Sequence, residues 1–238
     1  MTVGMGPAFW QIRDAGDPYA DDVIAHLWFD GDIVDRSQFA ATYAYGGGAT
    51  LSSGQLKFGS YSLDTTYYDT GAGVYDNNVT CAGTHLSPGN TEFTIEFWYY
   101  EPAPGSPGNN GHFLIQNTTN GHVFRIYSVA FKGNICFDLQ GGPNSGSTSM
   151  AQGWHHVAVT RLNTAYDMWI DGVLSQSVTN STLNLGTHLT DTCSMWIGST
   201  SSYGTAFASY YSNFRFTKKR RYTATFSIPT APFPDPVP

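Results

Sequence analysis

Residues 153–179 constrain the fold of this chain more than any other stretch. In residues 153–161 the side chains alternate: His156, Ala158 and Thr160 occupy even positions, and His155, Val157 and Val159 occupy odd positions. Such a period of two is typical of a half-buried strand. The same alternation returns in residues 165–170, and Asp171-Gly172 follows at once. Asp-Gly between two such runs predicts a hairpin, because both central residues of a type I′ turn have positive φ. We therefore predict three consecutive antiparallel strands at 153–161, 165–170 and 173–179.

Short runs of the same kind recur about every ten residues, and no stretch has a convincing helical pattern. The clearest is Phe93–Tyr100, in which the odd positions form one face and the even positions, including Glu96, form the other. Further strands are predicted at 23–29, 55–58, near Val74–Tyr75 and at 222–226, among others. Charged residues make up 12% of the chain and aromatic residues 15%, a mixture that suits strands and polar turns. The pattern predicts an all-β protein, a two-sheet antiparallel jelly-roll sandwich.

The two ends of the chain differ from this pattern. Residues 1–20 lack periodicity, and we interpret them as an N-terminal arm that precedes a single domain at 21–226. Residues 227–238 contain five of the twelve prolines, which predicts an extended, polyproline-like tail outside any central strand. We expect a chain without residues 227–238 to fold but to assemble less well.

Charge excludes some partners and suggests others. The net charge of −7 argues against a protein that coats a polyanion, so no specific nucleic acid is expected as a partner. Five of the eleven Lys and Arg residues nevertheless fall between Arg215 and Arg221. Two interpretations remain open, a solvated turn or a docking patch for an acidic partner that would consist of Lys218, Lys219, Arg220 and Arg221.

The cysteines and the hydropathy pattern limit the environment of the chain. Cys81, Cys136 and Cys193 are too few for a disulfide framework, and Cys136 is expected to be a small buried residue inside a strand. No apolar run approaches membrane-spanning length, and no signal sequence precedes the first strand. We expect synthesis and folding in a cytoplasm and no membrane partner.

Five motifs in order resemble the laminin G-like, concanavalin A-type jelly rolls. They are Leu-Trp-Phe-Asp-Gly, Phe-Thr-Ile-Glu-Phe-Trp, Trp-His-His-Val-Ala-Val-Thr-Arg, Met-Trp-Ile-Asp-Gly and Asn-Phe-Arg-Phe, at positions 27–31, 93–98, 154–161, 168–172 and 213–216. The flanks, which are Asp17-Pro18-Tyr19 and the stretch from Arg215 to Pro234, look like those of laminin G-like domains in tailed-bacteriophage virion proteins. The resemblance implies a binding or assembly module, in a superfamily whose members bind glycans or proteins, often with one calcium ion, and include glycosidases.

The residues that such chemistry needs are only partly present. A retaining glycosidase needs two carboxylates about 5–5.5 Å apart, but Thr94 stands between Glu92 and Glu96 where the family has an Asp. We therefore expect no enzyme, and Glu96 is interpreted as a carboxylate paired with sheet neighbours. The family's calcium site implies Asp30 and Asn213 as ligands, although neutral Ser212-Asn213 replaces the family's acidic residues. The alternative for Asp30 is a turn-forming residue.

Aromatic side chains provide the remaining candidates. Tyr203, Tyr210 and Tyr211 are predicted to contact a carbohydrate or a protein partner. Our first functional hypothesis is a non-enzymatic decoration protein of a bacteriophage, located in the virion and assembled with other virion proteins and copies of itself. The alternative is an adhesin or receptor-binding lectin that binds a host-surface glycan. A shallow groove lined by an exposed Trp or Tyr and a carboxylate would favour the alternative.

Overall fold

The computed structural model describes residues 16–66, 77–86, 92–102, 110–117, 121–128, 134–139, 145–180, 193–198 and 209–236. Two antiparallel sheets stack face to face in these residues, and two single 3₁₀ turns, Ala20–Asp22 and Thr84–Leu86, are the helical elements. The predicted two-sheet antiparallel sandwich is confirmed. With strands labelled in chain order, sheet A contains, from edge to edge, β13 (Val173–Thr179), β12 (Ala165–Ile170), β11 (Gly153–Leu162), β6 (Glu92–Glu101), β15 (Tyr210–Thr217), β4 (Ser62–Asp64) and β3 (Thr50–Ser52).

A further strand, β1 (Val23–Leu27), pairs with the C-terminal half of β15, in line with β4 at its other end. Sheet B contains, from edge to edge, β10 (Thr148–Ser149), β9 (Asn134–Leu139), β8 (Gly121–Ser128), β7 (Asn110–Asn117), β14 (Cys193–Gly198), β5 (Asn78–Gly83) and β2 (Ala44–Gly46). Neighbours in each sheet are antiparallel throughout the described residues.

The core lies between the two sheets and is rich in aromatic side chains. The odd positions of β6 face sheet B, as the sequence pattern predicts, and Phe93 and Phe97 are buried there. Ring centroids of Phe93 and Phe124, one from each sheet, lie 5.8 Å apart in an edge-to-face contact, the arrangement that aromatic pairs prefer. Cys136 in β9 is buried, and its thiol is free, as predicted.

The three-strand stretch 153–179 forms as predicted. β11 and β12 pair from Val157↔Ile170 to Leu162↔Ala165, and Asp171 and Gly172 have φ values of +50° and +78°. These are the positive angles that a type I′ turn requires. The short turn sets the pairs Ile170↔Val173 and Trp169↔Leu174, and a β-bulge in β13 then shifts the register by one residue.

Three predicted strand boundaries are wrong. The first strand ends at Leu27, because Phe29 adopts a positive φ of +60° that an extended strand does not allow. Residues 55–58 form a loop, and residues 222–226 form no strand, although the Phe226 N–H donates to the Gly172 carbonyl. Phe58 and Phe226 pack against Trp98 and Trp169 of sheet A without strand pairing. The predicted strand near Val74–Tyr75 lies outside the described residues.

The C-terminal segment, residues 218–236, lies across the outer face of sheet A, which is the face that points away from sheet B. No strand occurs in this segment, and the extended, polyproline-like conformation of residues 227–238 stays a prediction. Phe226 packs against Trp169, and Phe233, which is 2% exposed, packs against His26 and His156. The central even positions of β6, which are Thr94, Glu96 and Trp98, are buried as well. The domain boundary at 226/227 stays a prediction, since contacts with sheet A continue on both sides of it.

Candidate functional site

A buried ionic cluster lies between the outer face of sheet A and the chain ends. Glu96 is fully buried at its centre and accepts hydrogen bonds from Arg215 Nε at 2.9 Å and from the Tyr222 hydroxyl at 2.6 Å. Asp17 accepts from Arg215 Nη1 at 2.9 Å and from Arg221 Nη2 at 2.6 Å. Two carboxylates thus share two guanidinium groups, the compensation that buried charges require. The cluster ties both ends of the described chain to the centre of sheet A.

The protonation states of the cluster follow from these contacts. Burial alone would raise the pKa of Glu96, but the charge of Arg215 and the hydrogen bond to His156 outweigh it and hold that pKa well below its usual value. Burial also opposes ionisation of Asp17, and the hydrogen bond from Arg221 nevertheless lowers its pKa. Both carboxylates are therefore charged at neutral pH, and the cluster acts as a structural clamp.

This cluster accounts for much of the basic stretch 215–221, for which the sequence allowed two interpretations. Lys218, Lys219, Arg220 and Arg221 are all partly buried, so the turn is solvated only in part. Three of the four form ion pairs within the chain, namely Lys219 with Glu92, Arg220 with Asp167 and Arg221 with Asp17. Most of the charge of the proposed docking patch is compensated internally, and a docking role for it stays a prediction.

The same contacts account for the two glutamates considered as a glycosidase pair. Glu96 is enclosed by Arg215, Tyr222 and His156, and Glu92 pairs with Lys219 at 3.0 Å. The interpretation of Glu96 as a carboxylate paired with sheet neighbours is confirmed.

Asp30 and Asn213 have structural contacts of their own. Asp30 Oδ1 accepts hydrogen bonds from the backbone N–H of Ser60 at 2.7 Å and of Tyr61 at 3.0 Å, so Asp30 closes a loop. Asn213 is buried, and its Oδ1 accepts the Phe233 N–H at 2.9 Å. Asn213 thus joins β15 to the C-terminal segment. No cluster of three or more His, Cys, Asp or Glu side chains suited to a metal exists in the described residues, and calcium at Asp30 and Asn213 stays a prediction.

The structure describes two of the three candidate tyrosines, and these two differ in burial. Tyr211 points into the core, where it is 2% exposed and its hydroxyl lies 2.9 Å from His112 Nδ1, so the prediction that it contacts a ligand is wrong. Neighbouring residues of a strand face opposite sides, and Tyr210 is accordingly partly exposed on the outer face of sheet A. Tyr203 lies outside the described residues. Strand alternation alone could have separated Tyr210 from Tyr211.

A shallow groove, which the sequence did not predict, lies between the β1–β2 connection and β2. Its volume is about 500 Å³. Tyr45, which is 44% exposed, and the Asp32 carboxylate, which is 40% exposed, are its most accessible aromatic and charged side chains. The remaining lining is largely apolar and comprises Ile33, Val34, Asp35, Ala40, Ala41, Thr42 and Tyr43.

The charged wall of this groove is held in place by Arg36. Its Nη1 and Nη2 donate to the two oxygens of Asp32 at 3.1 Å and 3.2 Å, and its guanidinium carbon lies 4.7 Å from the ring centre of Trp28. The hydrogen bond from Arg36 lowers the pKa of Asp32, whereas burial and the nearby Asp32 charge raise that of Tyr45. The groove therefore presents an ionised carboxylate beside a neutral phenol.

Asp35 fixes the loop that forms the floor of the groove. Its Oδ1 accepts the backbone N–H groups of His26 and Ser37 at 2.9 Å each, and its Oδ2 accepts the Ala41 N–H at 3.0 Å. Ala40, between these anchors, adopts a positive φ of +43°. Such a conformation is unfavourable for a residue with a Cβ and persists where surrounding contacts enforce it. The groove is thus rigid before any ligand binds.

The described part of the chain contains no helix with the length and apolarity needed to cross a membrane.

Solved structures with the same fold come from neurotoxin binding domains. The botulinum neurotoxin serotype C1 binding domain is 14% identical, with a TM-score of 0.62, and the match covers 86% of this chain and 50% of that chain. A structure described as "Cell entry of botulinum neurotoxin type C is dependent upon interaction with two ganglioside molecules" is also 14% identical, with a TM-score of 0.62, over 86% of this chain and 49% of that chain. At these identities the likeness is one of fold, and this chain spans about half the length of those chains.

A third match is the binding domain of botulinum neurotoxin DC in complex with SialylT, which is 13% identical with a TM-score of 0.59, over 85% of this chain and 49% of that chain. Comparison with curated protein sequences gives no match. Residues 71–224 match the laminin G family model described as "Concanavalin A-like lectin/glucanases superfamily". This match spans more than half of the chain and includes β6, β11, β12 and β15, which carry four of the five sequence motifs. The chain belongs to the laminin G-like family of the concanavalin A-like lectin/glucanase superfamily.

Proposed function

We propose that this chain is a non-catalytic carbohydrate-binding module and that a saccharide binds in the groove between Asp32 and Tyr45. The observation that carries the proposal is the exposed Tyr45 ring beside the Asp32 carboxylate in a concave surface of about 500 Å³. Ligand sites are commonly concave and mostly apolar, with a few fixed polar groups that orient the ligand.

The two side chains offer complementary contacts to a sugar. A pyranose ring has apolar C–H faces and a rim of hydroxyl groups, so its face packs on the Tyr45 ring while its hydroxyls donate to Asp32. Tyrosine supplies a rigid apolar body and a polar tip at low entropic cost. Arg36 holds Asp32 at two oxygens, which leaves the remaining lone pairs of the carboxylate for the ligand.

Rigidity of the floor favours binding further. Asp35 anchors residues 37–41 through backbone hydrogen bonds, and Ala40 is held in a strained conformation. A preorganised site avoids part of the entropic cost of binding. The structures with a similar fold include one described with ganglioside molecules and one in complex with SialylT, and this supports a glycan as the class of ligand.

A glycan array probed with the full chain tests the proposal. Tyr45→Ala should weaken binding to the glycans recognised by the wild-type protein at least tenfold, which corresponds to about 1.4 kcal/mol. Tyr61→Ala is the matched control, because Tyr61 is similarly exposed, at 43%, and does not line the groove. Wild-type protein that recognises no glycan, or Tyr45→Ala protein that binds as well as Tyr61→Ala protein, would exclude the groove as a sugar site.

A second candidate is assembly with copies of itself, which the edge of sheet A favours; a bacteriophage virion with other virion proteins as the place of that assembly stays a prediction. β13 is the terminal strand of this sheet in the described residues, and its seven residues include no charge and no proline. Val173 and Leu174 in it are 57% and 47% exposed. Natural edge strands usually carry charges or prolines that prevent pairing, so an uncharged edge suits strand addition by a second copy.

Light scattering with size-exclusion chromatography tests this second candidate. Leu174→Lys combined with Thr179→Lys should convert an oligomer into a monomer, because lysines on an edge strand oppose pairing. Gln152→Lys combined with Thr230→Lys places the same two charges at exposed positions outside β13 and should leave the oligomer intact. A wild-type chain that is monomeric at high concentration would contradict assembly through β13.

A further inference from the structure

The groove carries an excess of negative charge. Two aspartates, Asp32 and Asp35, line it, and no Lys or Arg is among the described residues of its lining. The hydrogen-bond donors to Asp35 are neutral, namely the backbone N–H groups of His26, Ser37 and Ala41 and the Ser37 hydroxyl. These donors stabilise the charge of Asp35 without cancelling it.

Arg36 cannot neutralise this charge, because two carboxylates share it. Its Nη1 and Nη2 donate to Asp32, and its Nε lies 3.8 Å from Asp235 Oδ1 of the C-terminal segment. His26 Nδ1 lies 4.0 Å from the same oxygen, but burial, followed by nearby guanidinium charges, lowers the pKa of His26 to about 3, so this ring is neutral. Together with the buried Asp35, three carboxylates lie around one guanidinium.

An aromatic ring stands beside this excess charge. Tyr45 is 44% exposed and lines the groove together with Asp32. Burial and the Asp32 charge raise the pKa of Tyr45, so the phenol is neutral and its ring keeps a negative face. A cation over the face of a tyrosine is attracted by the ring, and the Asp32 carboxylate attracts the same cation. An aromatic face and a carboxylate in one concave surface thus suit a cation on an apolar body.

We propose that the groove prefers a pyranose that carries a protonated amine, such as a glucosamine unit, over neutral and anionic sugars. This inference rests on the proposed sugar site and names the class of its ligand. The amine donates a charge-assisted hydrogen bond to Asp32, while the ring of the sugar packs on Tyr45 and the apolar lining. Acetylation of the amine removes its charge, and a carboxylated sugar brings like charges together.

Calorimetric titration with chitosan trisaccharide and chitin trisaccharide tests the preference, because these ligands differ only in acetylation. At pH 6, where the amines are largely protonated, the full chain should bind the chitosan form at least tenfold more tightly. Asp32→Asn keeps the shape of the side chain and removes its charge, so it should abolish most of this ratio. Asp21→Asn makes the same change in net charge at an exposed position outside the groove and should leave the ratio unchanged.

Two further measurements distinguish the local charge from other effects. Asp235→Asn should lower the ratio only in part, since Arg36 then pairs with Asp32 alone. Added salt should weaken binding of the chitosan form more than that of the chitin form, because salt screens exposed charges. The thermal midpoint of each variant, measured in parallel, identifies a variant that has lost its fold.

Several outcomes would overturn the amine preference. Wild-type protein that binds the two trisaccharides equally, or binds neither, would do so, as would a ratio that folded Asp32→Asn protein retains. A ratio that Asp21→Asn lowers as much as Asp32→Asn would assign it to the net charge of the chain. Equal binding that Tyr45→Ala abolishes would overturn the preference and leave the proposed sugar site intact. If neither trisaccharide binds, the glycan array decides separately whether the groove takes another sugar.

Discussion

Single residues with unusual backbone angles fix the turns of this molecule. Gly172 has a φ of +78° in the β12–β13 turn, and its N-terminal neighbour Asp171 also has a positive φ. The Gly172 carbonyl accepts the Phe226 N–H at 3.0 Å, and the Asp171 Oδ1 accepts the His156 N–H at 2.9 Å. One two-residue turn therefore joins the hairpin, β11 and the C-terminal segment.

Gly172→Ala should destabilise the protein more than an equivalent change at Gly31. A Cβ at Gly172 would overlap the carbonyl oxygen of Phe226, whereas a Cβ at Gly31, which has a φ of +92°, meets nothing within 4 Å. Both substitutions impose strain of about 1 kcal/mol or more, and the clash adds to it only at Gly172. Chemical denaturation of the two variants measures the difference, and equal losses would mean that Phe226 does not lie against the turn.

At the scale of elements, the C-terminal segment is a structural part of the sandwich. It contributes Arg221 and Tyr222 to the ionic cluster around Glu96, and it contributes Phe233 to the aromatic surface on sheet A. Arg215 stacks on Phe233 with its guanidinium carbon 4.2 Å from the ring centre. Burial of the outer face therefore depends on residues that follow the last strand.

Phe233→Ala should lower the free energy of unfolding by about 3 kcal/mol, as is usual when a buried Phe is truncated. Thr230→Ala, an exposed position of the same segment, should change it by less than about 0.5 kcal/mol. Urea denaturation followed by tryptophan fluorescence measures both. A chain that ends at residue 226 should lose at least as much stability as Phe233→Ala, and a truncated chain as stable as the full one would show that residues 227–238 lie outside the fold.

Local patterns predicted the elements that depend on local physics. The Asp171-Gly172 turn and the alternation of β6 and β11 follow from neighbouring residues, and all three appear as predicted. The burial of Glu96 did not follow from sequence, because it depends on Arg221 and Tyr222 more than a hundred residues away along the chain. The groove was missed for the same reason: exposure of Tyr45 is set by the folded connection between β1 and β2, and no local pattern encodes it.

At the scale of the whole molecule, buried ionisable groups make the fold sensitive to acid. Burial lowers the pKa of His112 to about 3, and burial followed by the charges of Arg215 and Arg36 lowers that of His26 to about 3. Unfolded histidine has a pKa of about 6.5. Below that pH the unfolded chain binds protons that the folded chain refuses, so stability falls as the pH decreases from about 6.5 to 3.

The free energy of unfolding should therefore decrease by up to about 1.4 kcal/mol per pH unit for each of the two histidines. Below the usual glutamate pKa of about 4.3, Glu96 and Asp17 add to the loss, because their pKa values are lowered by folding. Urea titrations between pH 7 and pH 5 measure the slope. His26→Asn should reduce the slope of the unfolding free energy against pH by up to about 1.4 kcal/mol per pH unit, which is the contribution of one proton.

Trp28→Phe is the matched control for His26→Asn. It removes the hydrogen bond that Trp28 Nε1 donates to His26 Nε2 at 3.1 Å and keeps the titrating imidazole. It should shift stability at every pH by a similar amount and leave the slope unchanged. A wild-type chain whose stability is flat between pH 6.5 and pH 5 would contradict neutral burial of His26 and His112.

Chemical-shift mapping tests the central claim, a saccharide site in the groove, most directly. Uniformly ¹⁵N-labelled protein would be titrated with the glycan that binds best on the array, and backbone amide shifts would be followed by two-dimensional NMR. We expect the largest changes in amide chemical shift in residues 32–36 and 40–45. Large shifts confined to other parts of the chain, with these amides unmoved at saturating glycan, would contradict it.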